Sequence, residues 1–179
     1  RDALALLADR TDGNLLAAAQ AIEKLKLVGK DTISAADIEN SVGDASRYDV
    51  FALSESAFKG DVARSIHILS VLQGEGINPL QLLGIISNDV RLLLSFIQLK
   101  NNGVADDKAL QQLKVFWPKK QNQLKGASRR LSVTVIEQSL LLCNQIDLAT
   151  KSMLQDDPWR LFNALITKLC GLNTVPNRI

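Results

Sequence analysis

The residues of this sequence that could do chemistry are its histidine, its cysteines and a few carboxylates. His67 is the one histidine, and it lies among apolar residues of a predicted helix, with no second His or Cys at metal-binding spacing. A Ser-His-Asp triad could be assembled around it only by arbitrary pairing. We interpret His67 as a partly buried or surface imidazole, and zinc, haem and di-iron sites are disfavoured for want of ligands.

The cysteines and carboxylates also point away from catalysis. Cys143 and Cys170 lie far apart in apolar helical stretches, where thiols usually behave as small buried hydrophobes, and this favours a reducing cytosol. A helical enzyme could use Asp147 and Asp156, but unmatched helical carboxylates are usually surface charges. Neither a GxxxxGK[ST] nor a GxGxxG nucleotide motif occurs. We predict no catalytic residue, no metal and no cofactor.

The charges are distributed unevenly along the 179 residues, although the net charge is only +2. Residues 108–130 contain seven basic residues and no acidic one, so the remainder carries 14 basic against 19 acidic residues. Lysines interleaved with aromatic residues suit phosphate contact and base stacking, whereas a solvated helix face is the simpler interpretation. The residues that could lie near DNA are Lys114, Trp117, Lys119, Lys120, Lys125, Arg129 and Arg130.

Hydrophobic periodicity predicts an all-α protein, because no segment alternates with period two. A helical hairpin is expected first, with a helix at 14–28 and a capping-box-like start at Ser34 and Asp37 for a helix ending near Val42. N-caps are expected at Asp61, Asn78 and Asp157, the last two followed by proline. From Arg47 longer amphipathic helices follow. Their expected ranges are 49–59, 62–73, 79–101, 106–116, 119–127, 132–155 and 158–172.

The predicted helix 79–101 has two apolar faces, which implies neighbours on both sides. It is expected at the centre of its domain, and any surplus apolar surface there or on helix 132–155 would serve assembly with another subunit. Asn88, Asp89 and Arg91 interrupt its apolar run, so no membrane span is predicted. The candidate interface residues are Leu82, Ile85, Leu92, Phe96 and Leu99.

The order of several phrases resembles the delta subunit of the bacterial DNA polymerase III clamp loader. Residues 13–25, Gly-Asn-Leu-Leu-Ala-Ala-Ala-Gln-Ala-Ile-Glu-Lys-Leu, look like the lid helix of that family, and Asp44-Ala45-Ser46-Arg47-Tyr48-Asp49-Val50-Phe51 is similar to the segment that follows. Further matching phrases come in the same order. They are residues 63–69, Glu75-Gly76, Pro79-Leu80, Val115-Phe116-Trp117, residues 147–151 and the helix of Trp159.

The resemblance implies a small helical lid at residues 1–45 followed by a larger helical-bundle collar at 46–179. Residues 1–9 already look like the middle of a helix, and an AAA+-like module that holds the clamp-contacting residues would precede them in a longer protein. Leu16 stands where ATP-hydrolysing relatives place a phosphate-reading arginine, which implies a non-hydrolysing subunit.

The implied function is assembly of the five-subunit ring that opens the sliding clamp and loads it on primed DNA, in the cytoplasm at the nucleoid. The implied partners are the other loader subunits, the clamp through the absent module, and primed DNA. The alternative is a free-standing helical module that binds nucleic acid through residues 108–130.

Overall fold

The structure is a computed structural model that describes residues 3–4, 6–7, 15–27, 29–30, 32–42 and 45–172. Over these residues it is helical with short connections and has no strand, so the predicted all-α class is confirmed. The helices from residue 15 onward are α1 (Leu15–Leu27), α2 (Ala35–Val42), α3 (Ala45–Lys59), α4 (Val62–Gly74), α5 (Pro79–Asn101), α6 (Asp106–Gln112), α7 (Pro118–Arg130), α8 (Val133–Thr150) and α9 (Pro158–Leu169).

Four predicted helix starts are confirmed by their capping hydrogen bonds, whereas α3 begins at Ala45 rather than at residue 49. The side chains of Asp61, Asn78 and Asp157 each accept from a first-turn backbone N–H, at 3.1, 2.9 and 3.0 Å. In the capping box, the Ser34 N–H donates to the Asp37 carboxylate (2.9 Å) and the Asp37 N–H donates to the Ser34 hydroxyl (3.2 Å). These local side-chain bonds are what the sequence encodes at each start.

Four predicted helix ends differ from the structure. Helix α7 ends at Arg130 rather than 127 and α9 at Leu169 rather than 172. Helix α6 ends at Gln112 rather than 116, and α8 ends at Thr150 rather than 155. In α6 and α8, a non-glycine residue takes a left-handed conformation two positions later, Lys114 with φ 56° and Ser152 with φ 60°. The N–H of the following residue then donates to the carbonyl five positions back, at 2.9 and 2.8 Å. This Schellman closure usually carries glycine at the left-handed position, and neither Lys114 nor Ser152 signals it.

Helices α3 to α9 share one core, with α5 at its centre as predicted. Helix α5 packs against α3, α6, α7 and α8, while α9 packs against α8, α4 and α3. The largest fully buried side chains of this core are Phe58, Phe96 and Phe162. By length and composition α5 could cross a membrane, but half of that window is buried inside the structure, and a core helix passes the same test.

The N-terminal hairpin has a second, small core. Helices α1 and α2 pack on each other and bury Leu6, Leu7, Ala21, Leu25 and Ile38. We call α1 and α2 with residues 3–7 the hairpin, and α3 to α9 the bundle. The predicted domain division at residues 45 and 46 stays a prediction.

Candidate subunit interface and basic segment

A charged cluster lies inside the bundle, where α3, α5 and α7 meet. Lys120 of α7 and Asp89 of α5 form an ion pair at 2.5 Å, and both side chains are less than 10% exposed (7% and 8%). The second carboxylate oxygen of Asp89 accepts a hydrogen bond from the Ser54 hydroxyl of α3. A buried pair is tolerable only when its members are hydrogen-bonded in this way, so the cluster ties three helices together.

A second, more exposed set of charges adjoins this cluster. Glu55 accepts hydrogen bonds from Lys119 (2.8 Å) and Lys59 (2.7 Å). Burial raises the pKa of the Glu55 carboxyl, but the hydrogen bonds from the two lysines outweigh it, so the pKa is lowered. Helix α7 has no acidic residue in its first turn, and Glu55 and Asp89 supply the negative charge there from other helices.

Arg130, at the end of α7, holds the C-terminal ends of two helices. Its Nη2 donates to the carbonyl oxygen of Phe58 at 2.8 Å, and to those of Ala57 and Leu169 at 3.3 Å. A cation at a helix C-terminus satisfies carbonyls that have no partner within the helix and favours the helix dipole. Arg130 thus links the ends of α3 and α9.

Two glycines make room for this guanidinium. A Cβ at Gly60 would lie 3.1 Å from Arg130 Cζ, and one at Gly171 would lie 2.7 Å from Nη1. Both glycines also have positive φ, of 85° and 87°. The sequence around each glycine predicts a helix end. It does not predict the contact with Arg130, which lies 70 residues away from Gly60 in the chain.

The structure therefore divides the predicted DNA-proximal residues. Lys119, Lys120 and Arg130 bind groups within the chain as described above, and Lys125 pairs with Asp107 at 2.9 Å. Lys114 and Arg129 are exposed, as is the neighbouring Phe116, at 62%. Trp117 is partly buried and packs against the hairpin core. The prediction of DNA contact stays a prediction, and Lys114, Phe116 and Arg129 are the residues whose side chains lie open to it.

The candidate interface residues of α5 differ in how deeply they are buried. Leu82 and Phe96 are fully buried in the bundle core, because α5 is covered on both of its faces by other helices of the same chain. Ile85, Leu92 and Leu99 pack against that core and are only partly buried. These three remain candidates for contact with another subunit.

Helix α8 carries an apolar residue that the sequence prediction did not single out. Leu141, midway along α8, is 65% exposed. Of its four helical neighbours, Gln138, Asn144 and Gln145 are exposed and uncharged, and Glu137 is exposed and acidic. An exposed leucine on a mainly uncharged face fits interface surface, from which charged residues are depleted. Helical spacing in the sequence identifies this face only once the buried face of α8 is known.

The residues considered for chemistry take structural positions. Cys143 and Cys170 are buried and unpaired, and burial raises the pKa of the Cys143 thiol to about 11. Asp147 and Asp156 form ion pairs with Lys151 and Arg160, each one turn later on the chain. In the described part of the chain no three His, Cys, Asp or Glu side chains group as a metal site. The side chain of Leu16 lies outside the described residues.

Comparison with known proteins gives one family. The family model described as DNA polymerase III delta subunit, C-terminal domain, matches residues 47–169. DNA polymerase III subunit delta of Escherichia coli (strain K12) is 30% identical over 161 residues, which are 89% of this chain and 46% of that protein. The Bacillus subtilis DNA clamp loader delta protein has a similar fold, with a TM-score of 0.62 at 21% identity over 92% of this chain and 48% of its own. This chain thus spans about half the length of either relative.

Proposed function

This chain belongs to the DNA polymerase III delta subunit family, and from that membership we propose that it is a non-catalytic assembly part of a bacterial clamp loader. The observation that carries the proposal is the family match across residues 47–169, which comprise nearly the whole bundle. The family places the chain in DNA replication. It does not favour the alternative of a free-standing nucleic-acid-binding module.

In this proposal the bundle is the collar and the hairpin is the lid. The collar packs beside neighbouring loader subunits, and the lid docks on one of them. The clamp itself would be contacted by parts of the longer relatives that have no counterpart in this chain. We place this work in the cytoplasm, at the nucleoid.

We further propose that the collar contact includes α8 around Leu141 and the partly buried α5 residues Ile85, Leu92 and Leu99. Each has apolar surface left after the intramolecular core is filled. Leu141 is the sharpest probe, because its substitution disturbs the core least.

The test is capture of this chain by the other loader subunits, measured as an apparent Kd. Leu141→Glu should weaken capture by at least ~10-fold, the usual loss when a central apolar interface contact is replaced by a charge. Val71→Glu is the matched control, since Val71 is also exposed (38%) but lies on α4, which packs against α3 and α9. If both variants are captured with the same apparent Kd, α8 is not part of the contact. If the unaltered chain and both variants all fail to be captured, the assembly role is refuted.

The basic segment supports a second, narrower proposal: DNA lies near Lys114, Phe116 and Arg129 in the assembled loader. Their exposure supports it. Reversing the charges of Lys114 and Arg129 should reduce DNA-dependent clamp loading. The slope of its salt dependence should also decrease, by the amount that about two phosphate contacts contribute. Lys125→Glu is the control for a single charge reversal, to be compared with Lys114→Glu alone, because both change the net charge equally and Lys125 already has Asp107 as a partner. Unchanged clamp loading at low salt would count against the proposal.

A further inference from the structure

The described part of the hairpin has a small core of its own. Its described buried residues are Leu6, Leu7, Ala21, Leu25 and Ile38, and the helices α1 and α2 make extensive contacts only with each other among the described elements. A core of this size gains stability when it packs against another surface.

Trp117 supplies that packing from the bundle side. It belongs to the connection between α6 and α7, yet it packs against the hairpin core together with Ile33 and Ala35. Among the described residues it is the bundle's only member of that cluster. An indole buries more apolar area than any other side chain available there, so one residue can make a large share of the contact.

The charged cluster lies beside Trp117. Trp117 is the N-cap residue of α7, and its carbonyl accepts from the Gln121 N–H at 3.0 Å. Lys120, three residues later, is held by Asp89. Trp117, Lys120 and Asp89 line one recess of about 30 Å³ together with Phe51 and Glu55.

We propose that Trp117 is the positioning residue that docks the hairpin on the bundle, and that the Ser54–Asp89–Lys120 cluster holds it in place. Hairpin and bundle then form one body, because the ion pair that fixes the start of α7 also fixes the indole that packs against the hairpin core. A partner that moves the hairpin therefore acts on the centre of the bundle. On this account Trp117 is occupied by its own chain and does not stack on a DNA base.

Hydrogen exchange of the complete chain tests the docking. Trp117→Ala should accelerate exchange in α1 by ~10- to 50-fold, following the loss of a partly buried aromatic side chain, while α5 changes by less than ~3-fold. Trp117→Phe should restore most of the protection. Phe116→Ala is the matched control, because Phe116 is adjacent and exposed, and it should leave α1 unchanged. Unchanged α1 exchange in Trp117→Ala, or equal acceleration in α1 and α5, would overturn the proposal.

A second comparison tests the role of the charged cluster. Lys120→Met and Leu124→Ala both remove a buried side chain of α7, but only Lys120 lies beside Trp117 in the recess. Lys120→Met should raise the ratio of exchange in α1 to that in α5 by at least ~3-fold, and Leu124→Ala should leave this ratio unchanged. The same ratio in both variants would show that the cluster does not hold the indole.

Discussion

Replacement of Arg130 by alanine should lower the free energy of unfolding by about 2 kcal/mol. The bond to the Phe58 carbonyl at 2.8 Å contributes about 1.5 kcal/mol, at the low end for a charged donor because the arginine is exposed. Capping of the two helix C-termini adds about 0.5 kcal/mol, again at the low end for exposed sites. The bonds to Ala57 and Leu169, at 3.3 Å, are long and we assign them no further energy.

The glycine at position 171 allows a sharper test through a double-mutant cycle. Alanine at Gly171 carries a cost of about 1–2 kcal/mol for its positive φ. Its Cβ would also lie 2.7 Å from Arg130 Nη1 and displace the guanidinium. With Arg130 already removed, only the backbone cost remains. The double variant should therefore be more stable than the sum of the single effects by about 1–2 kcal/mol.

Urea unfolding followed by far-UV circular dichroism measures the cycle. Gly103→Ala is the control, because Gly103 also has positive φ (80°) but its Cβ would meet nothing within 4 Å. It should be additive with Arg130→Ala. If Gly171→Ala couples to Arg130→Ala no more strongly than Gly103→Ala does, Arg130 does not cap the two helices in the way described.

Three further outcomes follow from the bundle. Lys120→Met should cost about 3–5 kcal/mol in urea unfolding because it strands the buried Asp89, and adding Asp89→Asn should recover part of that loss; an additive double variant would contradict this. Ser152→Gly should stabilise the chain by about 0.5–1 kcal/mol by relieving a left-handed residue, and a measured loss would refute the assignment of strain there. The Cys143 thiol should resist alkylation in the folded chain until the pH approaches its raised pKa of about 11. Its contribution to the free energy of unfolding is present below the unfolded pKa near 9.0 and should be lost as the pH rises through about 11. Rapid alkylation at pH 8 without unfolding would contradict this.

The fold could be predicted from the sequence where the signals are local. Apolar periodicity and capping residues such as Asp61 and Asn78 act within one helical turn, so the helices and the capped starts were predicted correctly. The start of α3, which has no such signal at residue 49, was placed four residues too late. The ends of α6 and α8 were missed because Lys114 and Ser152 take the left-handed conformation that usually marks glycine. Local chemistry encodes a start more reliably than an end.

The candidate site was less predictable because its partners are distant in the sequence. Asp89 was noticed only as an interruption of an apolar helix, and Lys120 only as part of a basic run. Their pairing joins residues 31 positions apart and turns both into parts of the core. Likewise, the sequence allowed Trp117 either to stack on a DNA base or to pack in a protein core. Its contact with the hairpin core follows only from where the hairpin lies in the fold.

We propose that this chain assembles with the other subunits of a clamp loader. The most direct test of that assembly is native mass spectrometry of the chain mixed with those subunits. We predict one copy of the chain in a single complex of defined stoichiometry. A chain that is detected only free, while the other subunits associate with one another, would contradict the claim.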